Sequence, residues 1–314
     1  MELYKSRGFG EFFQDTFAFL KQSGKHLFKQ FFIVNGIFLI ILMVLGYFFS
    51  KFYTDIVFGG LMSNNPSVVD DYMNENMGIF IVLIILFCTV GLIAGVVSYS
   101  FVPIYLKLYS ERGGSNFETR DIVDLYKKHI GKIFIFLVCA ILVSIPLMIV
   151  CGVAMFLLVI TIIGMLLLPL VIGFVALFYQ STLIEYIEDK KGIWECFGYA
   201  WTLISSKFWA AIGSVGIFFL MSYIVQNIIA LIPYIFGMAS LFTTIEQGDT
   251  MNNPQEIAGT MTVMMIAIFL LTFLVSSILN VIVQLNQGIV FYSLKEDNEN
   301  INTKSIIDQI GSGE

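Results

Sequence analysis

The chain has 314 residues, of which 58% are hydrophobic and only 13% are charged, and its formal net charge is −6. Soluble domains are about 45–50% apolar and about 25% charged, so this composition excludes an ordinary soluble protein. It predicts an all-α integral membrane protein, and we expect no nucleic acid among its partners.

Long stretches without charged residues locate the predicted transmembrane helices. One helix needs roughly 20 apolar residues to cross about 30 Å of hydrocarbon. The charge-free run from Ile133 to Ile184 is therefore long enough for two helices. We predict six spans, near residues 30–50, 79–106, 132–151, 155–184, 208–232 and 258–290.

The distribution of cations predicts the topology, because lysine and arginine accumulate on the cytoplasmic side of a membrane. Of the 17 Lys and Arg residues, all except Lys51 lie in the N-terminal segment, the second-to-third and fourth-to-fifth connections, or the C-terminal tail. The opposite loops carry mostly acidic residues. We therefore predict that both termini are cytoplasmic and that the number of spans is even.

Three predicted cytoplasmic segments share a pattern that suggests repeated units. Each has an amphipathic stretch, then a lysine at the water boundary (Lys29, Lys132 and Lys207), then an aromatic-rich span. We predict three hairpins, each preceded by a cytoplasmic amphipathic helix that lies in the headgroup plane. The alternative is that any loop entering a membrane ends in aromatic residues and lysine, because interfaces favour both.

This pattern divides the chain into three parts. Residues 1–29 form a cytoplasmic amphipathic segment, residues 30–294 a six-helix transmembrane domain, and residues 295–314 a short polar cytoplasmic tail. Lysines near the boundaries are candidates for contact with lipid headgroups. They are Lys21, Lys25, Lys29, Lys128, Lys132 and Lys207.

Residues that carry common catalytic or metal chemistry are missing from the expected places. No predicted span has an ionisable residue near its middle, which disfavours proton- or sodium-coupled carriers. Two isolated histidines and four scattered cysteines do not make a metal-ligand pattern. The sequence also lacks a phosphate-binding glycine loop and a nucleophile elbow, so we expect no cofactor and no enzyme activity.

Uncharged polar residues do occur within the spans. In the sixth span, Ser277, Asn280, Gln284 and Gln287 recur on one helical face. Such a seam either lines a substrate cavity or supplies interhelical hydrogen bonds of about 0.6–2 kcal/mol each. Candidate partners across the bundle are Asn35, Gln180, Gln226 and Asn227.

Four prolines lie in or at the ends of predicted spans, at positions 103, 146, 169 and 233. Helix-breaking residues at depth can mark discontinuous helices around a transport site, or can simply kink or end a helix. Because Gly164 and Gly173 flank Pro169, the fourth span is the best candidate for a break.

Two local motifs resemble a known family. They are Arg7-Gly8-Phe9-Gly10-Glu11 and the stretch from Gly192 to Trp201 that continues to Pro233. Both are similar to the membrane domain of bacterial glycerophosphoryl diester phosphodiesterases and its stand-alone relatives of unknown function. That resemblance implies a bacterial inner-membrane location and a six-helix domain. It carries over no active-site residue, because those enzymes keep their chemistry in a separate soluble domain.

Three functions remain open on the sequence. The first is a membrane-embedded scaffold or accessory subunit that contacts membrane lipids and another membrane protein or a second copy of itself. The second is a transporter or channel for a lipid or other amphiphile, through a polar cavity lined by the fifth and sixth helices. An intramembrane enzyme is the third.

The predicted topology can be tested by cysteine labelling of intact cells. Single cysteines at Asn64 and Asn252, in a background without the four native cysteines, should react with an impermeant maleimide because both loops are predicted to be external. Cysteines at Ser115 and Lys190 should stay unlabelled until the cells are opened. Labelling of Ser115 from outside would contradict the six-helix topology.

Overall fold

The computed structural model describes residues 1–63, 66–188, 190–246 and 254–302, and these form helices with no strand among them. Asn64 and Asn252, the proposed labelling positions, lie outside the described residues. The helices are α1 (Phe9–Ser63), α2 (Pro66–Glu111), α3 (Thr119–Val159), α4 (Ile162–Ile187), α5 (Ile193–Ser206), α6 (Phe208–Glu246) and α7 (Pro254–Glu299).

Six of these helices are long and apolar enough to cross a membrane, which confirms the all-α fold with six spans. The chain is a multi-pass membrane protein. The candidate spans are Phe9–Thr54, Asn74–Glu111, Thr119–Val159, Leu167–Ile187, Phe208–Ser240 and Gly259–Glu299. Each overlaps its predicted span, and the third also includes residues 155–159, which were predicted to belong to the fourth. The first and third begin earlier than predicted because α1 and α3 include the amphipathic segments before them.

The three amphipathic segments are helical, but they join their spans in different ways. Residues 9–29 belong to α1 and residues 119–131 belong to α3, so neither segment is separated from its span by a break. Only the third forms its own helix, α5, which ends at Lys207 where the backbone leaves the helical conformation (φ −134°, ψ 50°).

A common cap begins all three segments. In each, an acidic side chain three residues into the segment accepts a hydrogen bond from a free backbone N–H at the helix start, which a carboxylate favours at this positively polarised end. The pairs are Gly8 N to Glu11 at 2.7 Å, Glu118 N to Asp121 at 2.8 Å, and Gly192 N to Glu195 at 3.0 Å. The threefold pattern therefore extends to local hydrogen bonding.

The prolines lie within continuous helices. Pro169 is inside α4, so the fourth span is not broken there. The third and fourth spans separate instead at Ile160–Thr161, where the Thr161 hydroxyl accepts a hydrogen bond from the Gly164 N–H at 3.0 Å and caps α4. Prolines 103, 146 and 233 are likewise inside α2, α3 and α6.

The chain divides into two compact units. The first contains Met1–Val34, Val96–Ser222 and the residues from Leu279 onward, and the second contains Asn35–Gly95 and Tyr223–Ile278. In the first unit, residues 283–296 of α7 are buried without exception. A helix buried on every side is a central element rather than an amphipathic surface helix.

Neighbouring helices surround this part of α7. The Asn286 amide donates hydrogen bonds to Thr16 of α1 at 3.1 Å and to Ser214 of α6 at 3.2 Å. A side chain added at Gly288 would meet Leu106 of α2 and would lie 3.9 Å from Ile184 of α4. The first unit is thus organised around one central helix.

In this unit, α4 and α6 cross with their backbones close together. A methyl group added at Gly173 would lie 2.8 Å from the backbone nitrogen of Gly216, and one added at Gly216 would lie 2.9 Å from the carbonyl oxygen of Pro169. Side chains cannot relieve these contacts, because they involve backbone atoms. Small residues at such crossings let membrane helices approach closely.

This crossing makes Gly173→Ala destabilising. We expect it to lower the melting temperature in detergent, because the new methyl group must push α4 away from α6. The matched control is Gly152→Ala in α3, where no described atom lies within 4 Å of the added methyl. That variant should keep or raise the melting temperature, since alanine favours a helix over glycine by about 0.8–1 kcal/mol. Equal effects of the two changes would contradict the close crossing.

Candidate functional site

A buried ion cluster lies where α4 and α7 end in the first unit. The Lys295 side chain is fully buried, and its Nζ lies 2.6 Å from Glu185 Oε2 and 2.5 Å from Glu188 Oε2. Lys191 Nζ lies 2.8 Å from the other oxygen of Glu185, which is also fully buried. Burying a charge costs several kcal/mol per ion, and only well-placed partners offset this cost. Each buried ion of the cluster therefore depends on its oppositely charged partners.

Two tyrosines complete the cluster. The Tyr4 hydroxyl donates to Glu188 Oε1 at 3.2 Å, and the Tyr199 hydroxyl donates to Glu299. Burial raises the pKa of both tyrosines, and the nearby Glu188 and Glu299 carboxylates raise it further. Both hydroxyls therefore stay protonated and keep donating at physiological pH. The cluster ties the N-terminal segment and α5 to the ends of α4 and α7.

Two lysines from neighbouring helices cover the end of α4. Lys107 of α2 donates to the carbonyl oxygen of Ile187 at 2.6 Å, and Lys132 of α3 donates to that of Tyr186 at 2.9 Å. The last carbonyls of a helix have no partner within it and carry partial negative charge, so cations stabilise them. Lys132 thus has a role inside the protein besides its predicted contact with lipid.

Arg7 explains the first sequence motif. Its buried guanidinium donates to Asp15 at 2.7 Å and to the carbonyl oxygens of Glu2, Leu3 and Lys5 at 2.7–2.9 Å. The five N–H groups of arginine suit such a turn, because they satisfy several backbone acceptors at once. The motif therefore folds the N-terminal segment onto the start of α1.

The six candidate headgroup lysines fall into two groups. Lys207 donates to the Arg7 carbonyl oxygen at 3.2 Å and pairs with Asp297 at 2.6 Å, so it is engaged within the protein in the same way as Lys132. The remaining four are exposed on the surface of the first unit. They are Lys21, Lys25, Lys29 and Lys128.

The residues of the predicted polar seam have different environments. Asn35, Gln180, Gln284 and Gln287 are buried, Ser277 and Gln226 are partly buried, and Asn280 and Asn227 are exposed. The amide of Asn227 donates within its own helix, to the carbonyl of Tyr223 at 2.7 Å. Four seam residues, Gln180, Asn280, Gln284 and Gln287, belong to the first unit, and the other four belong to the second.

The amphipathic helix α5 uses its apolar face inside the protein. Phe197, Ala200 and Ile204 are buried, as the helical periodicity of the sequence indicates. Trp194 and Trp201, two turns apart at the edge of this buried face, are 60% and 53% exposed. Exposed tryptophans in a membrane protein commonly lie at the level of the lipid headgroups.

The second unit contains an apolar groove between the fifth and sixth spans. It has a volume of about 870 Å³ and is lined by Ile232–Ser240 of α6 and Gly259–Leu274 of α7. The sequence left open a polar cavity between these helices as the alternative to interhelical hydrogen bonding, and this groove is lined largely by aliphatic and aromatic side chains. Among the described residues, no group of three or more His, Cys, Asp or Glu is placed to hold a metal ion.

Sequence reasoning did not identify the ion cluster or Asn286. Glu185 and Glu188 border a charge-free run three residues apart, and Lys295 borders another. Charges at the edges of spans normally lie in water, so their position gave no reason to expect burial. Asn286 does not fit the three- and four-residue spacing that places Gln284 and Gln287 on one helical face. It was therefore not included in the predicted polar seam.

Comparisons with known proteins identify no relative. No family model, curated protein or solved structure matches this chain. The resemblance to phosphodiesterase membrane domains therefore stays a prediction that depends on the two local motifs.

The ion cluster predicts a strong effect of Lys295→Met. Removing the cation leaves the Glu185 and Glu188 carboxylates buried and close together, and we expect a loss of about 3–5 kcal/mol in unfolding free energy. Denaturant or thermal unfolding in detergent measures this. Lys128→Met, at an exposed position, should leave stability unchanged. Adding Glu185→Gln and Glu188→Gln to Lys295→Met should recover part of the lost stability, because it removes the unpaired carboxylates. If Lys295→Met had the same unfolding free energy as the wild type, the ion cluster would be contradicted.

Proposed function

We propose that this chain is a non-enzymatic protein of the bacterial inner membrane that acts as a membrane-embedded scaffold or accessory subunit. Both termini are cytoplasmic in this proposal, and the first unit meets the cytoplasmic leaflet and a protein partner, which is another membrane protein or a second copy. The family resemblance of the two motifs supports the location, and the cation distribution supports the orientation.

The observation that carries the proposal is the surface of the first unit around α5. Because Phe197, Ala200 and Ile204 fill the protein interior, the helix does not need the membrane to cover its apolar face. Trp194 and Trp201 at the edge of that face remain more than half exposed, and Trp209 at the start of α6 is 75% exposed. Such a tryptophan surface suits the headgroup layer, where the rings contact lipid and the indole N–H groups remain hydrated.

The exposed lysines add an electrostatic contribution at the same unit. Lys21, Lys25 and Lys29 follow one another at four-residue intervals, so they lie along one face of α1. Each cation near an anionic leaflet contributes about 1 kcal/mol to attraction. A compact unit with exposed tryptophans and lysines is suited to contact with a membrane surface.

Transport of an amphiphile is the second candidate, and the groove between α6 and α7 favours it. Its apolar lining fits the hydrocarbon part of a lipid better than a headgroup. A transporter of this kind should accelerate the flipping of fluorescent phospholipids in proteoliposomes, whereas a scaffold should not. If the protein accelerates flipping and Val263→Trp, which fills the groove, abolishes that acceleration, transport replaces scaffolding as the proposed function.

Anionic lipid that copurifies with the protein tests the proposed surface. The full-length protein, extracted in mild detergent, should retain anionic phospholipid over zwitterionic phospholipid, as quantified by mass spectrometry. The triple change Lys21→Gln, Lys25→Gln and Lys29→Gln should reduce that enrichment, and raised salt should reduce it further because it screens the charges. Lys51→Gln, the exposed cation on the predicted outer side, is the control. Equal retention by the triple variant and the wild type would contradict the proposed lipid contact.

A further inference from the structure

Several buried polar atoms lie where α4 faces α7 in the first unit. The side chains of Gln180 and Ser181 are 0% and 1% exposed, and Gln284 is 9% exposed. Within the described part of the chain, no hydrogen-bond partner meets either amide atom of Gln180, the Ser181 hydroxyl or the Gln284 carbonyl oxygen. Buried polar groups in proteins are almost always paired with protein atoms or with ordered water.

The register of the two helices places these atoms at one level. Ile184 of α4 lies beside Gly288 of α7. Lys295, seven residues beyond Gly288, binds Glu185 and Glu188, which follow Ile184 by one and four residues, so the helices run in parallel. Residues four apart share a helical face. Gln180 and Gln284, each four residues before this contact, therefore face the same part of the interface. Ser181 lies four residues before Glu185, on the adjoining part of that face.

The chemistry of the unpaired atoms selects one ligand. The two amide oxygens only accept hydrogen bonds, the Gln180 nitrogen only donates, and the serine hydroxyl does both. A cation would suit the oxygens alone and an anion would suit the donors alone. Water accepts and donates, and buried waters typically make about three hydrogen bonds to groups of this kind. We propose that ordered water bridges Gln180, Ser181 and Gln284 between α4 and α7.

This water site adds a feature that neither proposed function supplies. Gln180 lies within the candidate span Leu167–Ile187, where hydrocarbon offers no hydrogen bonds. Ser181 is one helical turn from Glu185, so the water lies next to the ion cluster that holds Lys295. The interior of the first unit then contains a polar, hydrated position continuous with its buried charges.

Cysteine reactivity provides the first test in the full-length protein without its four native cysteines. A thiol reacts with a small methanethiosulfonate reagent as the thiolate, which forms where water is present. Ser181→Cys should react faster than Thr182→Cys, the matched control, because a dry apolar site disfavours the thiolate. Thr182 is equally buried, but its hydroxyl donates within its own helix to the Phe178 carbonyl at 2.8 Å. Equal, slow reaction at both positions would contradict the water site.

Stability changes provide the second test, and their sign separates the alternatives. If water bridges the amides, Gln180→Leu and Gln284→Leu should each lower the melting temperature, and the double variant should lose less than the sum because the two share waters. If the amides are buried dry, removing an unpaired polar group should raise the melting temperature. A rise would overturn the proposal. So would a sodium-dependent melting temperature that Gln180→Leu abolishes, because it would assign the oxygens to a cation.

Discussion

The burial of Lys295 is the constraint on which the first unit depends. A lysine with no exposed surface requires carboxylates at hydrogen-bond distance, and Glu185 and Glu188 supply them from α4. Those carboxylates in turn need Lys191 and Tyr4, which lie in the segment after α4 and in the N-terminal segment. Pieces of chain that are far apart in sequence are therefore held together around the end of α7.

The central position of α7 in the first unit fits the composition of its buried segment. Residues 283–296 combine small, aliphatic, aromatic and polar side chains, and all of these residues are buried. Asn286 finds hydroxyls on α1 and α6, and Gly288 admits α2 and α4 closely. Asn286 favours this arrangement of helices, because a neighbour without a hydroxyl at the right place would leave its buried amide without a hydrogen bond.

The two units differ in their chemistry. The first holds Lys295 and Glu185 in buried ion pairs and Asn286 in buried hydrogen bonds, contains the amides for which bound water is proposed, and displays tryptophans and lysines on its surface. In the second, aromatic packing such as the stacked rings of Phe52 and Phe80, 4.4 Å apart, accompanies an apolar groove between α6 and α7. The proposed lipid-contacting surface and the groove considered for transport therefore lie in different units, so the scaffold and transport proposals can be tested independently.

The sequence by itself determined the membrane class and the six spans, because spacing of charges and hydrophobic length depend on local composition alone. Periodicity also predicted that α5 is amphipathic, but it assigned the apolar face to the membrane, whereas Phe197, Ala200 and Ile204 are buried inside the protein. Only the tertiary structure decided that α1 and α3 continue unbroken through their amphipathic segments and that α4 continues through Pro169. The same is true of Lys295, which sequence reasoning placed in the polar tail. Its environment is made by residues more than 100 positions away, and no local pattern carries that information.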